Sequence, residues 1–307
     1  MDSNPRDFAS VYPQLKPALD ELEEFRKKLK SKGSKNGLIS GLIVLLIGLC
    51  FIVQLKEFYL LFVLLAIGIW IYCIHSKSGE LSLFYKNNII RKMVSSLCQQ
   101  ADYNPDRGVP ESMFTISGLF HSPDRYFSED MISGKIDKTD FICSEVVAEE
   151  RHVSYDSKGR KHEYWTLLFK GFLFIADFHK DFMGRTLVKN DSIFKFGFGG
   201  NRVKLENPDF ESRFDTYSTD EIEARYILTP SMMERLIALD KKFSQKMQFS
   251  YVGSSVFIAI PDSANHFEAS IWHTLSKESV AEEFYMICAL LDIVNDMNLN
   301  TRIWTKE

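Results

Sequence analysis

Gly37–Val53 reads GLISGLIVLLIGLCFIV and Phe58–Ile74 reads FYLLFVLLAIGIWIYCI, two runs of 17 residues without a charge. Only Gln54-Leu55-Lys56-Glu57 separates them. As a helix, each run spans about 25 Å, near the lower limit for crossing a hydrocarbon core. Neither has a polar face at any helical period, which a helix lying on a soluble core would show. Trp70 and Tyr72 sit near one end of the second run, where amphipathic rings favour the membrane–water interface. The two runs predict a transmembrane helical hairpin over 37–74, with the lipid bilayer as its first partner.

The flanks predict its orientation. Arg26, Lys27, Lys28, Lys30, Lys32 and Lys35 precede the first run with no acid among them. Lys77, Lys86, Arg91 and Lys92 follow the second, opposed only by Glu80, whereas the connection balances Lys56 with Glu57. Positively charged flanks stay in the cytoplasm, so both termini are expected there, with the chain multi-pass in a cell inner membrane. A signal peptide is not expected, because 36 residues precede the apolar run and no small-x-small cleavage site follows it. The basic flanks can also hold anionic lipid headgroups, although topology alone accounts for them.

Over all 307 residues, 37 Lys and Arg oppose 41 Asp and Glu, for a net charge of −4, with 45% apolar and 25% charged residues. That balance excludes a collagen, a disordered tail and a basic nucleic-acid binder. The charge is segregated: residues 75–100 carry four bases and one acid, whereas 101–307 carry 24 bases and 33 acids. Five cysteines without CxxC spacing fit a reducing compartment, with the thiols used as small hydrophobes.

The remaining pattern predicts α+β, with a mainly antiparallel sheet and packed helices. Segments 1–36 form a cytoplasmic N-terminal helix with a basic end, 37–53 and 58–74 the hairpin, 75–102 a helical stalk, and 103–307 a soluble domain. Within 13–30, Leu15, Leu19, Leu22 and Leu29 recur at heptad-like steps with Arg26 at the missing position. They pack either on their own domain or, as self-association, on another copy. Strand-rich stretches occupy 141–147, 152–155, 162–167, 171–176 and 185–188, with Asp156–Gly159 as a turn that lets His152 face His162. Asp220 is expected to cap a short helix, with Glu223 completing a capping box, and Thr229-Pro230 to start another. A strand over 247–260 bends at Gly253, and a last helix runs near 279–297, capped by Ser279 with Glu282.

Chemistry-bearing patterns are sparse. Asp177, His179 and Asp181 alternate, so on a strand they share a face that can serve as an acid–base group, the basis for a tethered hydrolase as alternative. The bland reading is the polar edge of a solvated strand. No metal site or cofactor is predicted, since the histidines lack the three or four convergent ligands a metal needs. Phe196-Gly197-Phe198-Gly199-Gly200 lacks the Gly-Lys-Ser/Thr of a phosphate loop and reads as a flexible loop. HExxH, GxSxG and dinucleotide patterns are missing, so an enzyme is less expected than a binding or scaffold module holding a protein partner.

The block from Leu205 to Pro230 contains Leu205-Glu206, Phe210-Glu211, Phe214, Tyr217-Ser218, Asp220, and then Glu223-Ala224-Arg225-Tyr226-Ile227-Leu228-Thr229-Pro230. It resembles the bacterial membrane-protein family known as domain of unknown function 3137. The resemblance extends to the paired spans, the Phe120 region, Gly134-Lys135-Ile136 and Phe169-Lys170-Gly171-Phe172. It implies a membrane-anchored cytoplasmic domain without an assigned activity and supplies no catalytic residues. Within the block, Glu223 and Arg225 are expected to pair with Asp220 or Glu211 and to brace sheet against helix, a buried pair whose disruption costs about 3–5 kcal/mol.

Overall fold

The computed structural model describes residues 6–50, 59–190 and 200–299. The connection Gln54–Glu57 and the loop residues Phe196–Gly199 therefore lie outside the described residues. The chain divides into two compact units, one of Met1–Ser96 with Phe267–Tyr285 and one of Leu97–His266 with Met286–Glu307. Segment 267–285 thus groups with the N-terminal part of the chain.

In the first unit the N-terminal helix and the first apolar run as far as Cys50 are one helix, α1 (Phe8–Cys50), of 43 residues. Its second apolar partner is α2 (Tyr59–His75). The two pack closely because glycines on α1 face α2. A Cβ on Gly33 would lie 2.8 Å from the Cys73 carbonyl oxygen, one on Gly37 2.7 Å from Trp70 Cα, and one on Gly41 3.3 Å from the Ala66 oxygen. Gly33, Gly37 and Gly41 are four residues apart and form one stripe, the small-residue seam that lets two apolar helices approach. Trp70 Nε1 also donates to Ser34 Oγ at 3.1 Å.

The heptad stripe of α1 is occupied by its own unit. Phe8, Val11, Leu15, Ala18, Leu22 and Leu29 are buried, and the Phe8 ring lies 5.5 Å from that of Phe284. That seam is filled within the chain. Arg26, at the polar position of the stripe, is held by Glu23 at 2.8 Å and donates to the Ile271 carbonyl at 3.1 Å and Thr274 Oγ1 at 3.2 Å. The region expected as a stalk is α3 (Ser78–Tyr85), a π turn (Lys86–Ile90) and α4 (Arg91–Leu97). Lys86, buried in the π turn, reaches Glu268 at 3.1 Å.

The second unit is built on one seven-stranded antiparallel sheet. Its strands are β1 (Ala101–Asn104), β2 (Arg125–Ile136), β3 (Thr139–Tyr155), β4 (Lys161–Asn190), β5 (Asn201–Val203), β6 (Phe214–Ser218) and β7 (Gln248–Pro261). β4 is the axis. Along one edge, residues 171–188 pair with β7; along the other, 161–176 pair with β3 and 186–190 with β6. Between those partners the ladder is irregular, with shifts between Asp177 and Phe182 and between Phe182 and Arg185. Gly171 starts the two-sided stretch at φ +144°, where a Cβ would fall 2.1 Å from the Ile260 oxygen. Only glycine fits there.

The helices are α5 (Glu111–Ser117), α6 (Pro208–Glu211), α7 (Glu221–Ile227), α8 (Pro230–Phe243) and α9 (Lys277–Asp296). Val109, Phe114, Leu119, Val146, Leu173 and Phe257 belong to a buried core on the sheet, with Phe114 stacked on Phe120 at 5.2 Å. Thr229 caps α8 as its sequence predicts, accepting from the Met232 amide. For α9 the cap is Ser276, whose hydroxyl accepts from the Ser279 amide at 3.1 Å, because the helix begins two residues before the expected Ser279.

Candidate functional site

The Leu205–Pro230 block of the second unit closes on itself through hydrogen bonds. Asn207 Oδ1 caps α6 by accepting from the Asp209 and Phe210 amides at 3.0 and 3.1 Å. Glu211 accepts from the Leu205 amide at 2.9 Å, and Arg202 bridges Glu211 and Asp215. Asp220 caps α7, its Oδ1 accepting from the Ile222 and Glu223 amides at 2.9 and 3.0 Å. Ser218 Oγ receives the Asp220 amide at 3.1 Å.

Glu223 does not close a capping box. Its carboxylate instead accepts from the Met183 and Gly184 amides, at 3.0 and 2.8 Å, within the irregular stretch of β4. Thr219 Oγ1 takes the neighbouring Arg185 amide at 2.9 Å. A bulged strand leaves amides without ladder partners, and these two side chains satisfy three of them. The block thus pins β4 where its pairing changes hands.

Arg225 is placed differently from its sequence expectation. It pairs with Glu221 at 2.9 Å and Glu206 at 3.3 Å and donates to the Lys204 carbonyl at 3.0 Å, rather than pairing with Asp220 or Glu211. Its side chain is 40% exposed, because Glu221 and Arg225, four apart on a two-turn helix, share the solvent side. Such surface pairs contribute about 0–1 kcal/mol, not the value of a buried pair.

Asp177, His179 and Asp181 all fall in β4, on the approach to this bulge. Asp177 is half-buried and Asp181 exposed, while the His179 side chain lies outside the described residues. Because β4 carries extra residues here relative to β7, strict alternation across 177–181 is lost and the shared face does not follow from spacing. Among the described residues, no three His, Cys, Asp or Glu side chains are gathered as metal ligands.

The β3–β4 hairpin holds a surface the sequence reading missed. Residues 150–155 and 161–166 pair only with each other among the described residues. Asp156 closes the connecting loop by accepting from the Lys158 and Arg160 amides at 2.8 and 2.9 Å. That five-residue loop sets His152 opposite Tyr164, 5.0 Å ring to ring, and His162 opposite Ser154, so the two histidines do not face each other. On the other face the register aligns Phe127, Val153, Tyr155, Trp165 and Leu167. All five are exposed, Tyr155 by 69%, and Arg125 stacks on Trp165 at 3.8 Å. The signal was present as alternation in Val153/Tyr155 and Trp165/Leu167, which reads equally as a core-facing strand.

These observations define an α+β protein with an antiparallel sheet, a braced central strand and two apolar N-terminal helices. Residues 167–299 match the family described as "Protein of unknown function (DUF3137)", which includes the whole braced block. No curated protein matches the chain. A similar solved structure, the crystal structure of the mycobacterial trehalose monomycolate transport factor A, TtfA, is 9% identical. The alignment covers 68% of this chain and 96% of that one with a TM-score of 0.34, too low for a shared fold to follow.

Proposed function

We propose that the protein is anchored in a bilayer by α1 and α2 and presents its α+β portion on the side of the basic flanks. There it acts as a binding or scaffold module for a protein partner or for a second copy. The observation that carries the anchoring is where the apolar surface points. Leu38, Ile39, Leu42 and Ile43 on α1, and Leu60, Leu61, Leu64 and Leu65 on α2, are each more than half exposed. In the most apolar stretches of the two helices, only 22% and 11% of residues are buried. Each leucine left in water forgoes about 1.5–3 kcal/mol of burial, whereas lipid solvates all of them. Both helices satisfy their backbones internally, as hydrocarbon requires.

The basic flanks support a cytoplasmic location for both termini. The module reading is supported by the exposed aromatic and aliphatic side chains of the β3–β4 hairpin, interleaved with Arg151, Lys161 and Glu163, a mixed surface of the kind that proteins use for contact. The experiment is extraction of membranes from a bacterium expressing a C-terminally tagged chain. Retention in the pellet through alkaline carbonate, with the tag protected from protease added outside spheroplasts, is the expected result. Release by carbonate overturns the anchoring, and digestion from outside overturns the orientation.

A further inference from the structure

We propose that the lysine-bearing face of α1 just ahead of its apolar run, formed by Lys28, Ser31, Lys32 and Lys35, binds the phosphate headgroups of anionic phospholipids. This inference rests on the bilayer reading above and names a lipid class at that site.

The residues fall at helical steps of three and four, so they line one side of α1, while Leu29, Gly33 and Gly37 are buried on the other. With Lys27 they border an open groove of about 450 Å³. Lys27 is tied to Glu23 at 3.5 Å. Among the described residues, Lys28, Lys32 and Lys35 form no ion pair; Glu80, itself paired with Lys77, is the one acid whose charge reaches this face, at Lys32, so the groove keeps an excess of positive charge.

Their depth fits lipid. The polar-to-apolar boundaries of the two helices lie within about one turn of each other, with Gly37 against Trp70, Gly33 against Cys73 and Ile74, and Ser34 accepting from the Trp70 indole. Exposed apolar surface starts at Leu38 on α1 and ends at Tyr72 on α2. Measured along the axis from Leu38, Lys35 stands about 4.5 Å back, Lys32 about 9 Å and Lys28 about 15 Å. The headgroup layer is roughly 5–8 Å deep on each side of the hydrocarbon, within reach of flexible four-carbon stems on the nearer two, while Lys28 stands outside it but within about a Debye length of the charged surface. The charge complementarity is local. Residues 101–307 carry nine more acids than bases and are repelled by an anionic surface, whereas these two turns of helix concentrate the opposite sign where the chain enters lipid.

The test reconstitutes the full chain in nanodiscs and compares spin-labelled phosphatidylglycerol with spin-labelled phosphatidylcholine at the protein boundary by electron paramagnetic resonance. The wild type is expected to select phosphatidylglycerol, with selection fading in 1 M salt as the Debye length shrinks to about 3 Å. Each single Lys→Gln change at 28, 32 or 35 should lower the selection by about fivefold, the equivalent of about 1 kcal/mol per basic group near a charged surface. The triple variant should show none. A control with Lys138→Gln, Lys158→Gln and Lys246→Gln, which removes the same charge from exposed positions elsewhere, should keep it. Equal loss in the control, or no selection by the wild type in discs it has entered, overturns the lipid site alone. Failure of the chain to enter discs of either composition removes the bilayer reading, and the lipid site with it.

Discussion

At the scale of single residues, Glu223 and Arg225 sit two apart in one short helix and do different work. Glu223 serves two backbone amides of a bulged strand, while Arg225 serves exposed acids. Charge-assisted hydrogen bonds to otherwise unpaired amides contribute about 1.5–3 kcal/mol, and exposed ion pairs less than about 1 kcal/mol. Chemical denaturation of the detergent-solubilised chain should therefore show Glu223→Ala losing about 2 kcal/mol and Arg225→Ala less than half of that. Equal losses would return Arg225 to a bracing role. Asp220 was legible from sequence because a cap depends only on its own next three residues. The partner of Glu223 was not, since Met183 and Gly184 lie some 40 positions away and spacing cannot reveal them.

Glu145 makes a second residue-level case. It is buried opposite Glu129, and burial first, with Asp130 and Glu129 adding like charge, pushes its carboxyl up to about 7 against the opposing His266 amide. A raised carboxyl binds its proton more tightly in the folded chain than in the unfolded one. Its contribution is therefore fully present below about pH 4.5 and is lost as pH climbs through 7. Comparing urea midpoints of wild type and Glu145→Gln between pH 4.5 and 8 should show the wild type falling behind with rising pH, by an amount on the order of 3 kcal/mol. Parallel curves would mean that the carboxyl stays ionised throughout.

At the scale of elements, the glycine seam decides whether α1 and α2 form a pair. A leucine at position 37 must displace the backbone of Trp70, not merely a side chain. Gly37→Leu is expected to break the Ser34–Trp70 hydrogen bond and separate the helices. Crosslinking between cysteines placed at Ser34 and Trp70 should report this, with crosslinks formed in the parent and lost in the variant; unchanged crosslinking would show that the helices do not depend on close approach. From sequence these glycines read only as members of an apolar run, because hydropathy scores their polarity and not the space they leave. The long central strand was hidden for another reason. Its stretches 162–167, 171–176 and 185–188 were each visible as strand, but the charged residues between 177 and 181 masked their continuity. What unites them is a change of neighbour along one edge, from β3 to β6, which no local pattern encodes.

At the scale of the whole molecule, the α+β class and the two apolar helices were legible because composition and period carry both. The grouping of 267–285 with the N-terminal segment was not, since it rests on contacts across more than two hundred residues, such as Phe8 with Phe284. It predicts what truncation does. A chain cut back to residues 97–307 keeps Phe267, Ile271, Val280 and Phe284 but loses the segment that buries them. Size-exclusion chromatography should find it aggregated, whereas the full chain in detergent elutes as a discrete species. A monodisperse 97–307 would show that 267–285 finds cover elsewhere.

The same interleaving sets an order of events at the ribosome. The first 96 residues emerge early, but the stretch that completes their unit leaves the exit tunnel only after some 190 more have been added. At elongation rates of about 5–20 residues per second, that is a wait of roughly ten to forty seconds. During it the nascent N-terminal arm must shelter its greasy stripe against a chaperone or the targeting machinery, and the arm matures last although it is made first.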